Sequence, residues 1–116
     1  MYAYEIPGTR FSLPAGGAVA IHRFVSVADE KAIQATAATQ VVGVSMNEVK
    51  AEEIQKNDHI VEIADGLVIV EAGGEIASGA GVKADADGKA VTAAEGAIGV
   101  AITAASAAGQ LITVKL

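Results

Sequence analysis

The chain is predicted to be all-β: a small antiparallel β-sandwich or barrel built from two pseudo-repeated hairpin units, with at most one short helix near 48–57. Three observations predict this. Short apolar runs rich in Val and Ile recur every 8 to 15 residues, separated by Gly, Asp or Asn, which is the spacing of short strands joined by turns. The chain also repeats itself, because Gly16-Gly17-Ala18-Val19-Ala20 and then Val25 match Gly73-Gly74-Glu75-Ile76-Ala77 and then Val82 at an offset of 57 residues. Finally, Ala64-Asp65-Gly66 and Asp87-Gly88 supply strong turn signals between such runs.

The expected strands are Ala18–Ile21, Arg23–Val27, Ala32–Ala35, Val41–Met46, His59–Ile63, Leu67–Glu71, Val82–Ala84, Ala90–Thr92, Ala97–Thr103 and Gln110–Leu116. Gly66 can take the positive φ of a tight turn, so His59–Ile63 and Leu67–Val70 read as a hairpin. Asp87-Gly88 reads as a second turn, and Asp29-Glu30 as its weaker counterpart. Gly43 and Gly99, inside strand patterns, suggest bulges or close backbone approach. Ser45-Met46-Asn47-Glu48 has capping-box form ahead of good helix formers, so residues 48–57 read as an insertion with one or two helical turns.

The resulting organisation is an arm at 1–15 and a β-domain at 16–116 whose repeat spans 16–64 and 73–116. The arm has no counterpart in the repeat and carries both tyrosines. It reads equally as a segment of conditional order or as an edge strand packed on the domain.

Composition narrows the function. Of 116 residues, 52% are hydrophobic but only 3% aromatic, and alanine is the commonest type. Alanine buries little area, and at ~25 cal/mol per Å² the hydrophobic stabilisation accumulates slowly. A thin core makes assembly with copies or a partner a source of further stability. The net charge is −6 with no basic cluster, which argues against nucleic acid as a partner, since phosphate neutralisation needs a basic stripe. No cysteine is present. The N-terminal residues lack a basic n-region and an apolar h-region, and no run approaches a bilayer span. The expectation is a soluble product of the cytoplasm with no membrane partner.

No catalytic, cofactor or metal site is expected. His22 and His59 lack the HxH or HxxxH spacing of metal ligands. Asp85-Ala86-Asp87-Gly88 resembles the opening of a calcium loop, but Lys89 and Gly96 stand where oxygen ligands belong. Gly79-Ala80-Gly81-Val82 loosely fits a dinucleotide fingerprint without the following helix that would hold a pyrophosphate. Glu48, Glu52, Glu53 and Asp58 could pair as glycosidase carboxylates, but the chain has no Trp for a sugar platform, and a solvated face accounts for them. Lys89 lies at a turn, as in lipoyl or biotinyl carriers, without the flanks such carriers use.

One set of motifs resembles a known family. Ile76-Ala77-Ser78-Gly79-Ala80-Gly81-Val82, Asp87-Gly88-Lys89-Ala90-Val91, Ile98-Gly99-Val100-Ala101 and Ala108-Gly109-Gln110-Leu111-Ile112-Thr113-Val114 resemble the capsid cement, or head decoration, proteins of tailed bacteriophages. The resemblance is strongest over 59–116, and the insertion at 48–57 departs from the pattern. It implies a non-enzymatic β-rich protein, often trimeric, bound to the outer capsid surface of the virion and reinforcing the shell, with the major capsid protein and its own copies as partners. Tyr2, Tyr4, Ile6, Pro7, Arg10 and Phe11 are the candidate capsid-binding residues, as an extended segment added to an exposed sheet edge. The alternative is another virion module, such as a head-fibre base or host-surface adhesion domain.

Overall fold

A computed structural model of the chain describes residue 3 and residues 5–56 and 59–116. It is all-β apart from one 3-10 segment, Ala51–Lys56. The strands are β1 Ile6–Pro14, β2 Phe24–Ala28, β3 Lys31–Gln34, β4 Gly43–Ser45, β5 Ile60–Glu71, β6 Gly81–Ala84, β7 Ala90–Thr92, β8 Gly99–Ala101 and β9 Leu111–Lys115. They form one antiparallel sheet in the order β3-β2-β4-β5-β9-β8-β6-β7, with β1 paired to β5 off this path. The order is the same four-strand unit written forwards and then backwards. β3-β2-β4-β5 mirrors β7-β6-β8-β9, and β5 pairing with β9 joins the halves.

The sequence repeat is a repeat of hydrogen bonds. Gly16 N–H donates to the Ala32 carbonyl and Gly73 N–H to that of Ala90, both at 2.7 Å. Val19 exchanges two backbone bonds with Val49, and Ile76 does the same with Ala105. Gly43 and Gly99 are both sites of close approach: a Cβ would lie 2.6 Å from the Ala64 carbonyl oxygen in one case and 2.7 Å from that of Lys115 in the other. Residues 6–14, for which an arm and an edge strand both stood open, form β1. Its pairing with the first part of β5, Pro14 opposite Ile60, matches the pairing of the second part of β5 with β9, Glu71 opposite Leu111.

Three local expectations are corrected. Ala64-Asp65-Gly66 is not a hairpin turn, because β5 runs straight through it for 12 residues. Gly66 does take φ +109°, but it serves a register shift in β1 between Pro7 and Thr9. A Cβ there would come within 2.5 Å of the Gly8 nitrogen. Ala18–Ile21 is not a strand. The backbone turns over at His22 (φ 61°), leaving only the bridge between Val19 and Val49. Ser45 is no helix cap but a buried residue of β4 whose Oγ donates to the Ala20 carbonyl at 2.6 Å. The 3-10 segment is capped later, by Glu53 accepting the Lys50 N–H at 3.1 Å.

The turns at 29–30 and 87–88 form as expected. Asp29 and Glu30, both at positive φ, close the β2–β3 hairpin between Ala28 and Lys31; two such residues are the requirement of a type I′ turn. The second loop is longer, Asp85 to Lys89, with Asp85 Oδ1 accepting the N–H groups of Asp87 and Lys89 at 2.8 and 2.9 Å.

The core is divided. One cluster gathers Val19, Val25, Ala32, Val49, Val61 and Ile63, with Phe11, Leu13, Val42 and Ile54 half-buried at its margin. The other gathers the equivalent residues of the second half, Val68, Val70, Ile76, Val82, Ala90, Ala105, Ile112 and Val114, and adds Phe24, Ala35, Val44 and Ala64 from the first. Phe24 and Val25 are neighbours on β2 and therefore face opposite sides of the sheet. The first half is thus buried on both faces, one against its own core and one against the second half.

Candidate functional site

His59, Glu71 and Lys89 are engaged through their side chains, whereas the buried His22 Nδ1 has no hydrogen-bond partner among the described residues. His22 joins elements through its backbone: its N–H donates to the Ser45 carbonyl and its carbonyl accepts the Glu71 N–H. His59 Nδ1 lies 3.4 Å from Glu53 Oε2 at the end of the 3-10 segment. Among the described residues no group of three His, Cys, Asp or Glu is placed to hold a metal ion, and no helix is long and apolar enough to cross a membrane. Asp58 lies outside the described residues. Gly79 is a turn residue at φ +85° and leads into β6, so the glycine pattern there meets a strand.

Lys89 is not a free hairpin-tip amine. Its Nζ lies 3.2 Å from Glu71 Oε2, and Arg23 Nη2 lies 3.3 Å from Glu71 Oε1. Partial burial pushes the Glu71 carboxyl up, but the Lys89 hydrogen bond and the Arg23 charge outweigh it and hold the group below its ordinary value. Arg23 belongs to the first half and Lys89 to the second, so this carboxylate ties the two together.

Of the predicted binding residues, Tyr2 and Tyr4 lie outside the described residues. Ile6 is 65% exposed, and Pro7 lies in β1 opposite Gly66. Arg10 is exposed, 3.9 Å from Glu62, whereas Phe11 packs half-buried on the first core cluster. Arg10 and Phe11, adjacent in a strand, point to opposite faces. The structure therefore places Ile6 and Arg10 outward and turns Phe11 inward.

Among the described residues β1 has only one ladder partner, β5. Ala15 N–H donates to the His59 carbonyl on that side, so the antiparallel alternation turns the N–H and C=O groups of Arg10 and Ser12 to the open edge. A second surface was not legible in the sequence. Ile6 pairs with Leu67, Leu67 with Lys115, and Lys115 with Val100. Directly paired residues share a face, so four strands set one row, in which Val100 is 44% exposed. These residues are far apart in the chain, and the lone hint is that Val100 alternates with buried Ala101.

A family model described as phage cement protein matches residues 5–116. The chain belongs to the phage cement protein family. It is thereby a structural component of the phage virion. Among solved structures, the fold of this cement protein is similar to the N base of the head fibre gp8.5 of bacteriophage phi29, with a TM-score of 0.73 at 21% identity over 93% of this chain and 92% of that one. No curated protein sequence matches the chain.

Proposed function

We propose that this cement protein is a non-enzymatic decoration protein that binds the outer surface of the phage head through the major capsid protein and stabilises the shell. It is made in the host cytoplasm and works as a homotrimer. The observation that carries this reading is the family match across residues 5–116, and the open edge of β1 gives it a physical means. An extended capsid segment added along Arg10 and Ser12 would gain backbone hydrogen bonds, with Ile6, Pro7, Arg10 and the two N-terminal tyrosines as contacts and Phe11 anchoring the strand from the core side. A stable contact buries about 1,200–2,000 Å² in total, which a 116-residue subunit reaches by touching both shell and copies.

The test is quantitative binding to empty heads. Removing residues 1–11 would strip Phe11 from the core and confound folding with binding, so the informative variants are Ile6→Glu and Arg10→Glu. Both should keep the wild-type melting temperature and lose decoration. Full decoration by both would remove β1 from the binding surface. A second reading, a head-fibre base, draws support from the fold shared with the phi29 head fibre. Copy number separates them: hundreds per virion fit cement, and a dozen or fewer fit a fibre.

A further inference from the structure

The contact between the two halves has two sides, a sheet face of the first half and a loop of the second. Within one chain, the outer face of the first half, Phe24, Ser26, Ala35, Val44 and Ala64, is buried. The Asp85–Lys89 loop of the second half closes over it. The Gly88 carbonyl accepts the Phe24 N–H at 2.8 Å, and the Asp87 carbonyl accepts from Arg23 Nη1 at 3.0 Å and Gln34 Nε2 at 2.9 Å.

The equivalent face of the second half is bare. Ala35 N–H bonds to the Phe24 carbonyl as Ala93 N–H does to that of Gly81, and Phe24 pairs with Val44 as Gly81 does with Val100. The counterpart face is therefore Gly81, Lys83, Ala93, Val100 and Lys115, half-buried or exposed throughout. Among the described residues neither lysine has an ion-pair partner. The counterpart of the Asp85–Lys89 loop is the Asp29–Glu30 turn, which is exposed in the first half. One chain thus carries a cationic face around Val100 and, in its other half, an anionic turn, related as the two sides of its internal contact are.

We propose that copies of this protein associate head to tail, the Gly81–Lys83–Val100–Lys115 face of one copy covering the Asp29–Glu30 turn of the next. The proposal rests on that part of the functional reading which has the protein working as copies of itself, and not on its attachment to the shell. In a chain of net charge −6, most surfaces of two copies repel, and the lysine face is where an acidic turn is attracted. Pro14 stands where Glu71 stands, and Ala80 and Thr92 stand where Arg23 and Gln34 stand, so the contact between copies lacks the side-chain hydrogen bonds of the internal one and rests on charge. It is a weaker, reversible version of the internal one. A head-to-tail contact is heterologous and closes into a ring when its rotation permits, three copies being the state proposed above. At about 800 Å² per partner, two such contacts would cover roughly a quarter of the 6163 Å² surface, leaving the rest for the shell.

Sedimentation velocity of the full chain over a concentration series tests this, with Lys83→Glu, Glu30→Lys and the two combined. Both sites are exposed, and thermal melts verify that each variant folds. The expected result is concentration-dependent association, weakened by added salt and about tenfold or more by either single reversal, and largely restored in the combination. A monomer at every concentration, association indifferent to the single reversals, or a combination no better than either alone would overturn the proposal. Decoration of empty heads by the wild-type protein is read separately. A monomer that decorates heads fully sinks the contact between copies and spares the capsid reading. Bare heads with the expected association pattern do the reverse.

Discussion

The two halves of this cement protein share one strand plan and differ in what covers them. In the second half Val68, Val70 and Ala72 are completely buried, while Phe11 and Leu13 of β1 and Ala15 just after it, their equivalents, remain half-open. The reason is the neighbour. The second core is closed by Phe24, Val44 and Ala64 of the first half, whereas among the described residues the first is closed at its margin by half-buried Val42 and by Ile54 of the 3-10 segment. The same position holds Phe24 in one half and Gly81 in the other, which makes one face an interior seam and leaves the other in solvent. A duplicated scaffold thereby acquires an inside joint and an outside surface by changing a few side chains.

This comparison breaks most sharply at the seam. Phe24→Ala removes the large side chain that both halves share and should cost about 3–5 kcal/mol, seen as a collapsed denaturation midpoint. Leu13→Ala, at the open margin of the first core, should cost less than that. Equal losses would show that the halves are independently stable.

The glycines come next. Gly66→Ala forces a Cβ to 2.5 Å from the Gly8 nitrogen at φ +109°, and should cost about 2–3 kcal/mol. Gly74→Ala meets nothing within 4 Å and should be nearly neutral in the same urea titration.

The carboxylate at the joint is a smaller lever with a pH signature. Because the Glu71 pKa is lowered in the folded protein, its contribution is fully present above the ordinary value of 4.5 and is lost as pH falls through the lower folded value. Glu71→Gln should cost on the order of 1 kcal/mol at neutral pH and flatten that acid limb of stability against pH. An unchanged acid limb would assign the acid sensitivity to other carboxylates. Smallest of all, Arg10→Ala breaks an exposed pair at 3.9 Å from Glu62 and should shift stability by less than about 0.5 kcal/mol, so any loss of head binding in that variant reports contact and not folding.

Local signals read well where the cause is local. The Asp29-Glu30 and Asp87-Gly88 turns, the short Val- and Ile-rich strands after each, and the tight approach at Gly43 and Gly99 all follow from turn chemistry and alternation. Reading failed where one residue's role depends on a distant strand. Gly66 has the φ of a hairpin glycine, but β1, more than fifty residues upstream, lies alongside it and keeps β5 straight. Ser45-Met46-Asn47-Glu48 has the letters of a helix cap, but Ser45 is claimed by β4 and the Ala20 carbonyl. Of the candidate binding residues, Ile6 and Arg10 are on the surface, whereas Phe11 is turned inward by its place opposite Ile63. The row of Ile6, Leu67, Lys115 and Val100 belongs to four strands and leaves no pattern in any one of them.

By itself the sequence determined the class of fold, its duplication and the absence of a metal-ligand spacing, because strand period, turn residues and side-chain chemistry act over a few neighbours. Tertiary structure alone decided that β5 serves both halves, that Glu71 joins Arg23 to Lys89, and which of two equivalent faces is buried. Those outcomes depend on which strands pair across long separations, and pairing is settled by the burial that the whole sheet achieves together.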